Sequence, residues 1–388
     1  MPAPRDFTMG VYKHKTSEGT TPPFNDDLAR IIADGMPGTS MPGWKDVLGE
    51  GERRDVITFI KKFSDIFEFE KPGPSVSTAE LSRSSPNSID AGREVYRKAK
   101  CFECHGETGK GNISKKLKDD WGAPIWPRNL TKPWTFRGGS DVKDIYTRLT
   151  VGIPGTPMRS FGDASKPDAL SANERWLAAH YVVSLAEHSR RPSSGANMIR
   201  GVYHAGELAA EPSAEAWRDA PSISFRVAPQ IIAAERLFTP VVDQLTVRAL
   251  YNEKEVALLV EWDDPTPSRP GDSVQAALAP GEMFEDAVAV QFPTMQSEGL
   301  EKPYFGHGDA ANPVTVWYWR AGRADGNAAY GLFEMRGTGS RMDRDSGRLE
   351  FSARGEYNDG TWRVVFRRAR NSGDGHIAFE SGRLLPVA

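Results

Sequence analysis

Cys101 and Cys104 are the only two cysteines of the chain, three positions apart, and His105 follows directly. Two thiols at that spacing with a histidine behind them form the attachment pattern of covalent haem. Each thiol adds across one vinyl group, and the imidazole swings under the iron as axial ligand. A redox dithiol would give His105 no task, and a zinc site needs a second Cys/His pair that the sequence does not supply. The iron's sixth position needs another donor. Met158 stands in the run Gly152-Ile153-Pro154-Gly155-Thr156-Pro157-Met158, where a thioether can close it. A lone methionine ordinarily fills core space. Met158 is singled out because it lies in a turn-rich loop downstream of the motif and because Met41 repeats it. His180 reads as a packed histidine.

The elements that must position these residues are helical. Ser88 can cap a helix carrying Val95 and Tyr96, which delivers the chain to Cys101. A Gly- and Trp-rich stretch with Trp121, Trp126 and Trp134 suits the wrapping of a large flat cofactor. Ser171-Ala172-Asn173-Glu174 is a capping box. It opens a last helix with Leu177, Tyr181 and Leu185 on one face, which is expected to pack on the first.

The pattern occurs twice. Pro127-Arg128-Asn129-Leu130-Thr131 and the Met158 run repeat Pro4-Arg5-Asp6-Phe7-Thr8 and Gly35-Met36-Pro37-Gly38-Thr39-Ser40-Met41, in the same order. At the spacing Cys101 keeps before Pro127, the first copy's attachment motif falls ahead of residue 1. Met41 therefore reads as the distal ligand of a haem whose attachment residues are absent from this chain, and truncation is the favoured account. A degenerate copy that never bound haem is the alternative.

Composition places the chain among globular proteins: 39% hydrophobic, 26% charged, net charge −3. That balance offers no footprint for nucleic acid. No apolar run approaches the ~20 residues of a spanning helix. Covalent haem attachment in bacteria happens outside the cytoplasm, which predicts a periplasmic location, although the chain shows no signal peptide. Residues 1–70 read as a cytochrome c-like unit lacking its attachment motif, 71–87 as a linker, 88–190 as a cytochrome c domain and 191–200 as a second linker.

Beyond residue 200 the period becomes two. Leu245 to Tyr251 and Val256 to Trp262 flank Asn252-Glu253-Lys254 as a hairpin, and Ala287 to Phe292 and Val314 to Trp319 are further strands. Leu349 to Gly355 and Trp362 to Arg368 flank an Asn358-Asp359-Gly360 turn. The expected fold is multidomain: two all-α cytochrome c-like units, then an antiparallel β-sandwich over 201–388.

Ala216-Trp217-Arg218-Asp219-Ala220-Pro221, Leu245 to Tyr251, Glu261-Trp262-Asp263-Asp264, Val288-Ala289-Val290-Gln291-Phe292-Pro293 and Val314 to Trp319 carry a resemblance. Together they are similar to the haem-b-binding domain of the ethylbenzene dehydrogenase gamma subunit. That domain type also occurs in selenate reductase, chlorate reductase, dimethylsulfide dehydrogenase and nitrite oxidoreductase. The resemblance implies non-covalent haem b with one axial ligand, commonly methionine, in a loop after the Val-Gln-Phe-Pro strand. Here that loop reads Pro303-Tyr304-Phe305-Gly306-His307-Gly308-Asp309 and offers His307, with Met295 as fallback. The opposite ligand is implied beyond a strand over Arg383 to Ala388, where this chain stops. His376 reads as a turn residue.

The resemblance implies an electron-transfer subunit, not an enzyme by itself. Its partners would be the catalytic and iron–sulfur subunits of a periplasmic molybdoenzyme, with a soluble cytochrome or the quinone chain at the other end. The rival readings are a dihaem peroxidase-like enzyme and a cytochrome tethered to a haem-free binding module.

Overall fold

The computed structural model describes residues 6–37, 39, 41–78, 83–113, 117–188, 197–227, 242–269, 285–295, 302–322, 329–371, 373 and 376–388. Pro4, Arg5, Gly38, Ser40 and the stretch 190–195, which the sequence reading used, lie outside them. The described residues form an N-terminal body up to residue 188 and a C-terminal body from residue 197.

The N-terminal body carries helices α1 (Asn25–Asp34), α2 (Glu50–Lys61), α3 (Ile66–Phe69), α4 (Pro86–Lys98), α5 (Phe102–His105), α6 (Val142–Val151) and α7 (Ala172–Ser184). Two short strands, β1 (Leu117–Lys118) and β2 (Pro124–Ile125), pair between α5 and α6. The cap of α4 is Ser85, not Ser88 as expected. Ser85 Oγ accepts from the Ser88 N–H at 3.2 Å, and Ser88 Oγ accepts from the Ser85 N–H at 2.9 Å. Pro86 explains the shift: it is pre-set for the first helical position and lacks the N–H that needs a partner there, so the cap moves one residue ahead of it. The Ser171–Glu174 box forms as read.

α4 and α7 cross at Gly92. A Cβ there would lie 2.1 Å from the Leu177 carbonyl oxygen, so only glycine admits this approach. Beside the crossing, Tyr96 and Tyr181 meet edge-on with ring centroids 5.2 Å apart. His180 is buried and shares a 3.1 Å hydrogen bond with Ser88 Oγ. α6 joins the same core through Tyr146, stacked on Trp176 at 3.9 Å.

The stretch 71–78, which composition reads as linker, is tied down. Gly73 N–H donates to Thr21 Oγ1 at 2.9 Å, Val76 N–H donates to the Thr16 carbonyl at 2.9 Å, and the Val76 side chain enters the core under α4 and α7. Pro and Gly there set a strap's path, and one buried valine anchors it.

The described residues of the C-terminal body form ten strands. A six-stranded sheet holds β3 (Gly201–Tyr203), β4 (Ser222–Arg226), β5 (Gln244–Tyr251), β6 (Glu255–Asp263), β11 (Ser352–Asn358) and β12 (Thr361–Ala369). A four-stranded sheet has the order β10 (Met342–Arg344), β9 (Tyr330–Met335), β8 (Val314–Arg320), β7 (Ala287–Pro293). The two share one core containing Val247, Val260, Trp262, Val364 and Phe366 from the first sheet and Val290, Trp317, Trp319 and Leu332 from the second.

Pairing is antiparallel except for β3, which runs parallel to β5 and was not expected. β11 begins at Ser352 rather than Leu349, because Leu349 and Phe351 bury themselves in a turn at the core's edge. Asp359 and Gly360 are both left-handed, with φ of 47° and 71°, as a tight hairpin between twisted strands requires. β6 is buried on both faces: Val256, Leu258, Val260 and Trp262 look into the shared core, while Ala257 and Leu259 meet Leu208 and Trp217. Residues 383–388 form no strand; only Ala388 exchanges two backbone hydrogen bonds with Gln291, at 2.7 and 3.1 Å.

Candidate functional site

Lys100, left-handed at φ 56°, turns the chain out of α4, and α5 follows as a single turn. That turn places Cys101, Cys104 and His105 together, with His105 N–H donating to the Cys101 carbonyl at 2.9 Å. Tyr96 OH donates to the Gly106 carbonyl at 2.7 Å, fastening the end of the turn to α4. Burial pushes the Cys101 thiol up to about 11. A redox dithiol needs a stabilised thiolate, so this environment disfavours that alternative.

The His105 imidazole is oriented from the main chain. Its Nδ1 lies 3.0 Å from the Arg128 carbonyl oxygen, so Nδ1–H donates and the Nε2 lone pair is left available to a metal. Burial holds its pKa below the usual value, against the opposing pull of that carbonyl, and a neutral imidazole is the ligating form. The Pro127–Thr131 landmark thus has a task that the sequence did not reveal: a Thr131–Asn129 side-chain turn presents the Arg128 carbonyl. Asn129 Oδ1 accepts from the Thr131 N–H at 2.9 Å and from its hydroxyl at 2.7 Å. Cys101, Leu130 and Met158 pack against the same hydrophobic cluster. The donor set of two thiols, an oriented imidazole and a thioether fits haem c.

The Met158 loop is closed by a specific set of bonds. Gly152, left-handed at φ 72°, caps α6; a Cβ there would meet the 159–160 backbone at 2.6 Å. Ile153 N–H donates to the Met158 carbonyl at 2.7 Å, Thr156 Oγ1 donates to the Ile153 carbonyl at 2.7 Å, and Met158 N–H donates to Thr156 Oγ1 at 3.2 Å. The Met41 loop repeats them bond for bond. Gly35 caps α1 at φ 72°, Met36 N–H donates to the Met41 carbonyl at 3.0 Å, and Thr39 Oγ1 donates to the Met36 carbonyl at 2.8 Å. Met41 N–H then donates to Thr39 Oγ1 at 3.2 Å. Even the Asn129 turn has its counterpart, Asp6 Oδ1 accepting from the Thr8 N–H at 2.9 Å and its hydroxyl at 2.6 Å. Met41 rests on Tyr12, Leu28, Ile32 and Ile57.

In the C-terminal body His307 is exposed and left-handed, φ 78°, an uncommon conformation for a residue with a side chain. Buried Gln291 on β7 holds it there: Oε1 accepts from the His307 N–H and Nε2 donates to the Tyr304 carbonyl, both at 3.1 Å. This clamp was missed, because a glutamine in a strand reads as an outward polar residue. A Cβ on Gly306 would strike the Tyr304 ring at 2.6 Å, and one on Gly308 the Asn312 carbonyl oxygen at 2.6 Å, so both serve the loop's own closure.

Phe292, Trp317 and Trp319 are buried in the inter-sheet core. Exposed Met295, Tyr304 and Phe305 form the apolar surface in the segments around His307. These residues fit one axial position and a lipophilic face of a haem b. His376, read as a turn residue, lies half-buried with Nδ1 3.9 Å from Glu334.

Residues 214–346 match the ethylbenzene dehydrogenase family, and residues 87–182 match the cbb3-type cytochrome c oxidase subunit III family. The chain is 27% identical over 162 residues to a putative respiratory nitrate reductase heme subunit, ORF7, of Haloferax mediterranei, covering 42% of this chain and 52% of that protein. It thus spans about half the length of that relative. It is 27% identical over 192 residues to the chlorate reductase subunit gamma of Ideonella dechloratans, covering 49% and 73%. A reducing HAO-like protein complex of Kuenenia stuttgartiensis contains a chain 39% identical to this one, covering 48% of this chain and 83% of that one with a TM-score of 0.45. The protein therefore joins a cytochrome c domain over residues 87–182 to a domain of the ethylbenzene dehydrogenase family over residues 214–346.

Proposed function

We propose that the chain is an electron-transfer subunit that carries haem c in its cytochrome domain and haem b in its C-terminal domain. Haem, when bound, supplies one-electron exchange at its iron. Cys101 and Cys104 would hold the covalent group, and His105 and Met158 would be its axial donors. With His105 and Met158 both holding the iron, no donor position would remain for a substrate, which separates this reading from a peroxidase. The observation that carries it is the Arg128 carbonyl on His105 Nδ1, because a main-chain acceptor at 3.0 Å fixes the imidazole as a ligand needs to be fixed.

His307 would be an axial donor to haem b, held in its strained conformation by Gln291, and Met41 an axial donor in the first repeat. The relatives named as nitrate reductase heme subunit and chlorate reductase subunit gamma support a place beside the catalytic and iron–sulfur subunits of a molybdoenzyme. A soluble cytochrome or the quinone chain would be the other redox partner. Covalent haem attachment supports a periplasmic site of action. No helix among the described residues is long and apolar enough to cross a membrane.

Acid–acetone extraction followed by the pyridine haemochrome spectrum tests the assignment. The expected result is one haem that extracts as haem b and one that stays with the polypeptide. His307→Ala should lose the extractable haem or convert it to a high-spin form, leaving the covalent one intact. If nothing extracts from the unaltered protein, the C-terminal domain is a haem-free binding module. If His307→Ala keeps a low-spin b haem, Met295 becomes the residue to replace.

A further inference from the structure

Where the two repeats of the N-terminal body meet, they enclose a cleft of about 30 Å³. The first repeat lines it with Lys13, His14, Lys15, Thr16 and Arg30 of α1, the second with Gly138 and with Asp144, Arg148 and Gly152 along α6. That is room for about two waters or one small ion, not for a nucleotide or a sugar. The lining carries four cationic side chains and one carboxylate, Asp144.

These cations are built into the fold. Lys15 is 4% exposed, and its ammonium donates to the Gly19 carbonyl at 2.7 Å and to the Thr21 carbonyl. An ammonium has three donors, so one remains. Arg148 spends Nη2 on the carbonyls of Gly138, Gly139 and Asp144, at 3.3, 2.6 and 3.2 Å, which leaves Nη1 for a ligand. Gly138 is required beside it, because a Cβ there would come within 2.7 Å of Arg148 Nη1 and 2.9 Å of His14 Nδ1. Arg30 Nη1 spans the repeats loosely, 3.4 Å from Asp144 Oδ1 and 3.5 Å from the Gly138 carbonyl. A well-seated guanidinium meets a carboxylate at ~2.7–2.9 Å. Lys13 leans on the Trp121 ring, 5.4 Å from its centroid.

The charges do not balance. Burial lowers Lys15 to about 8, with Asp27 and Glu70 opposing. Burial first, and then the charge of Arg30, hold Arg148 down to about 10 against the pull of Asp144. Two guanidiniums thus share one carboxylate in a half-buried cleft, and an unpaired charge withdrawn from water is costly.

We propose that the cleft between the repeats binds a small inorganic anion of single charge, such as chloride or nitrate, held by Arg30 and Arg148 with Lys15 supplying a further positive charge. Such an anion would tie α1 to α6. These helices end at Gly35 and Gly152, where the Met41 and Met158 loops begin, so the ligand would hold the roots of both loops in one register.

Thermal unfolding of residues 1–388 tests the proposal, followed through helical ellipticity, which arises from the α-helices of the N-terminal body. Chloride or nitrate replaces gluconate, an anion too large for the cleft, at constant ionic strength. The expected result is a saturable rise in melting temperature of about 2–4 °C. Arg30→Gln should raise the half-saturating concentration about tenfold, and Asp144→Asn, which removes the competing carboxylate, should lower it about threefold. Lys254→Gln in the C-terminal body removes a cation elsewhere and should change nothing. A rise that never saturates, or a response that Arg30→Gln and Asp144→Asn leave as it was, overturns the proposal. So does melting indifferent to chloride and nitrate together with a shifted midpoint of the covalent haem in Arg30→Gln, because the cations would then serve a haem propionate.

Discussion

α2 and α7 close two copies of one pattern, and they differ in what lies on them. Both start with a Glu-backed cap and an arginine reaching to the residue ahead of that cap. α7 buries Trp176, Ala178, Ala179, His180, Tyr181 and Val182, whereas α2 buries Ile57 alone. Local bonds therefore hold a helix's ends in place whether or not its long face is covered. Most helical stability in proteins comes from packing of an apolar face. α2 keeps its geometry through its caps and through the cluster of Tyr12, Leu28 and Ile32 on its other side.

Five measurements break or sharpen that contrast. The largest effect belongs to the covalent group: replacing both Cys101 and Cys104 by serine should abolish haem staining on a denaturing gel, and residual stain would refute the attachment site. Next come the methionines. Met158→Ala should move the c haem held by Cys101 and Cys104 from low towards high spin and lower its potential, whereas Met41→Ala should leave the spectrum of that haem as it was. Equal spectral changes would show that Met41 already touches a haem here.

The third pair concerns cover. Tyr181→Ala should cost about 3–5 kcal/mol in chemical denaturation, and Phe59→Ala no more than about 0.5 kcal/mol. A fourth uses glycines. Gly92→Ala drives a methyl into the Leu177 carbonyl and should destabilise by about 1–3 kcal/mol. Gly51→Ala in α2 meets open space and should gain about 0.5–1 kcal/mol; a loss there would reveal a covered face.

The smallest effect is a pH dependence. Lys98 first, and then the Ser171 bonds, hold Glu174 down to about 2 from 4.5. A depressed carboxylate stabilises fully above its unfolded value and loses that contribution as pH falls from 4.5 towards 2. Glu174→Gln should flatten this part of a pH–stability curve, by less than ~1 kcal/mol because the pair is partly exposed.

The chemistry-bearing residue types were legible without coordinates, since two thiols and an imidazole at fixed spacing have few other uses. Several strands announced themselves too, because Val256, Leu258, Val260 and Trp262 must share a face. What escaped has a physical reason in each case. The acceptor that orients His105 is a carbonyl, and carbonyls leave no side-chain signature. Gln291 was passed over because its two amide bonds reach a loop more than ten residues away. The exposure of Phe59, 61%, could not be read at all: an aromatic residue four positions before Phe63 on an amphipathic helix looks like core. The short strands β3 and β10 were missed for want of periodicity in three residues.

The methionine loops carry one more implication, for how such a domain can drift. Each knot is tied by main-chain groups and a single threonine hydroxyl, with a left-handed glycine capping the helix ahead of it, and in the Met158 loop Gly155 is left-handed as well, at φ 76°. Among the described residues, the features that the two loops share at matching places are the capping glycine, the threonine hydroxyl and the methionine. Two copies in one gene can thus diverge until overall identity no longer betrays their kinship, while a three-letter skeleton of Gly, Thr and Met at fixed intervals remains the recoverable trace of their common origin.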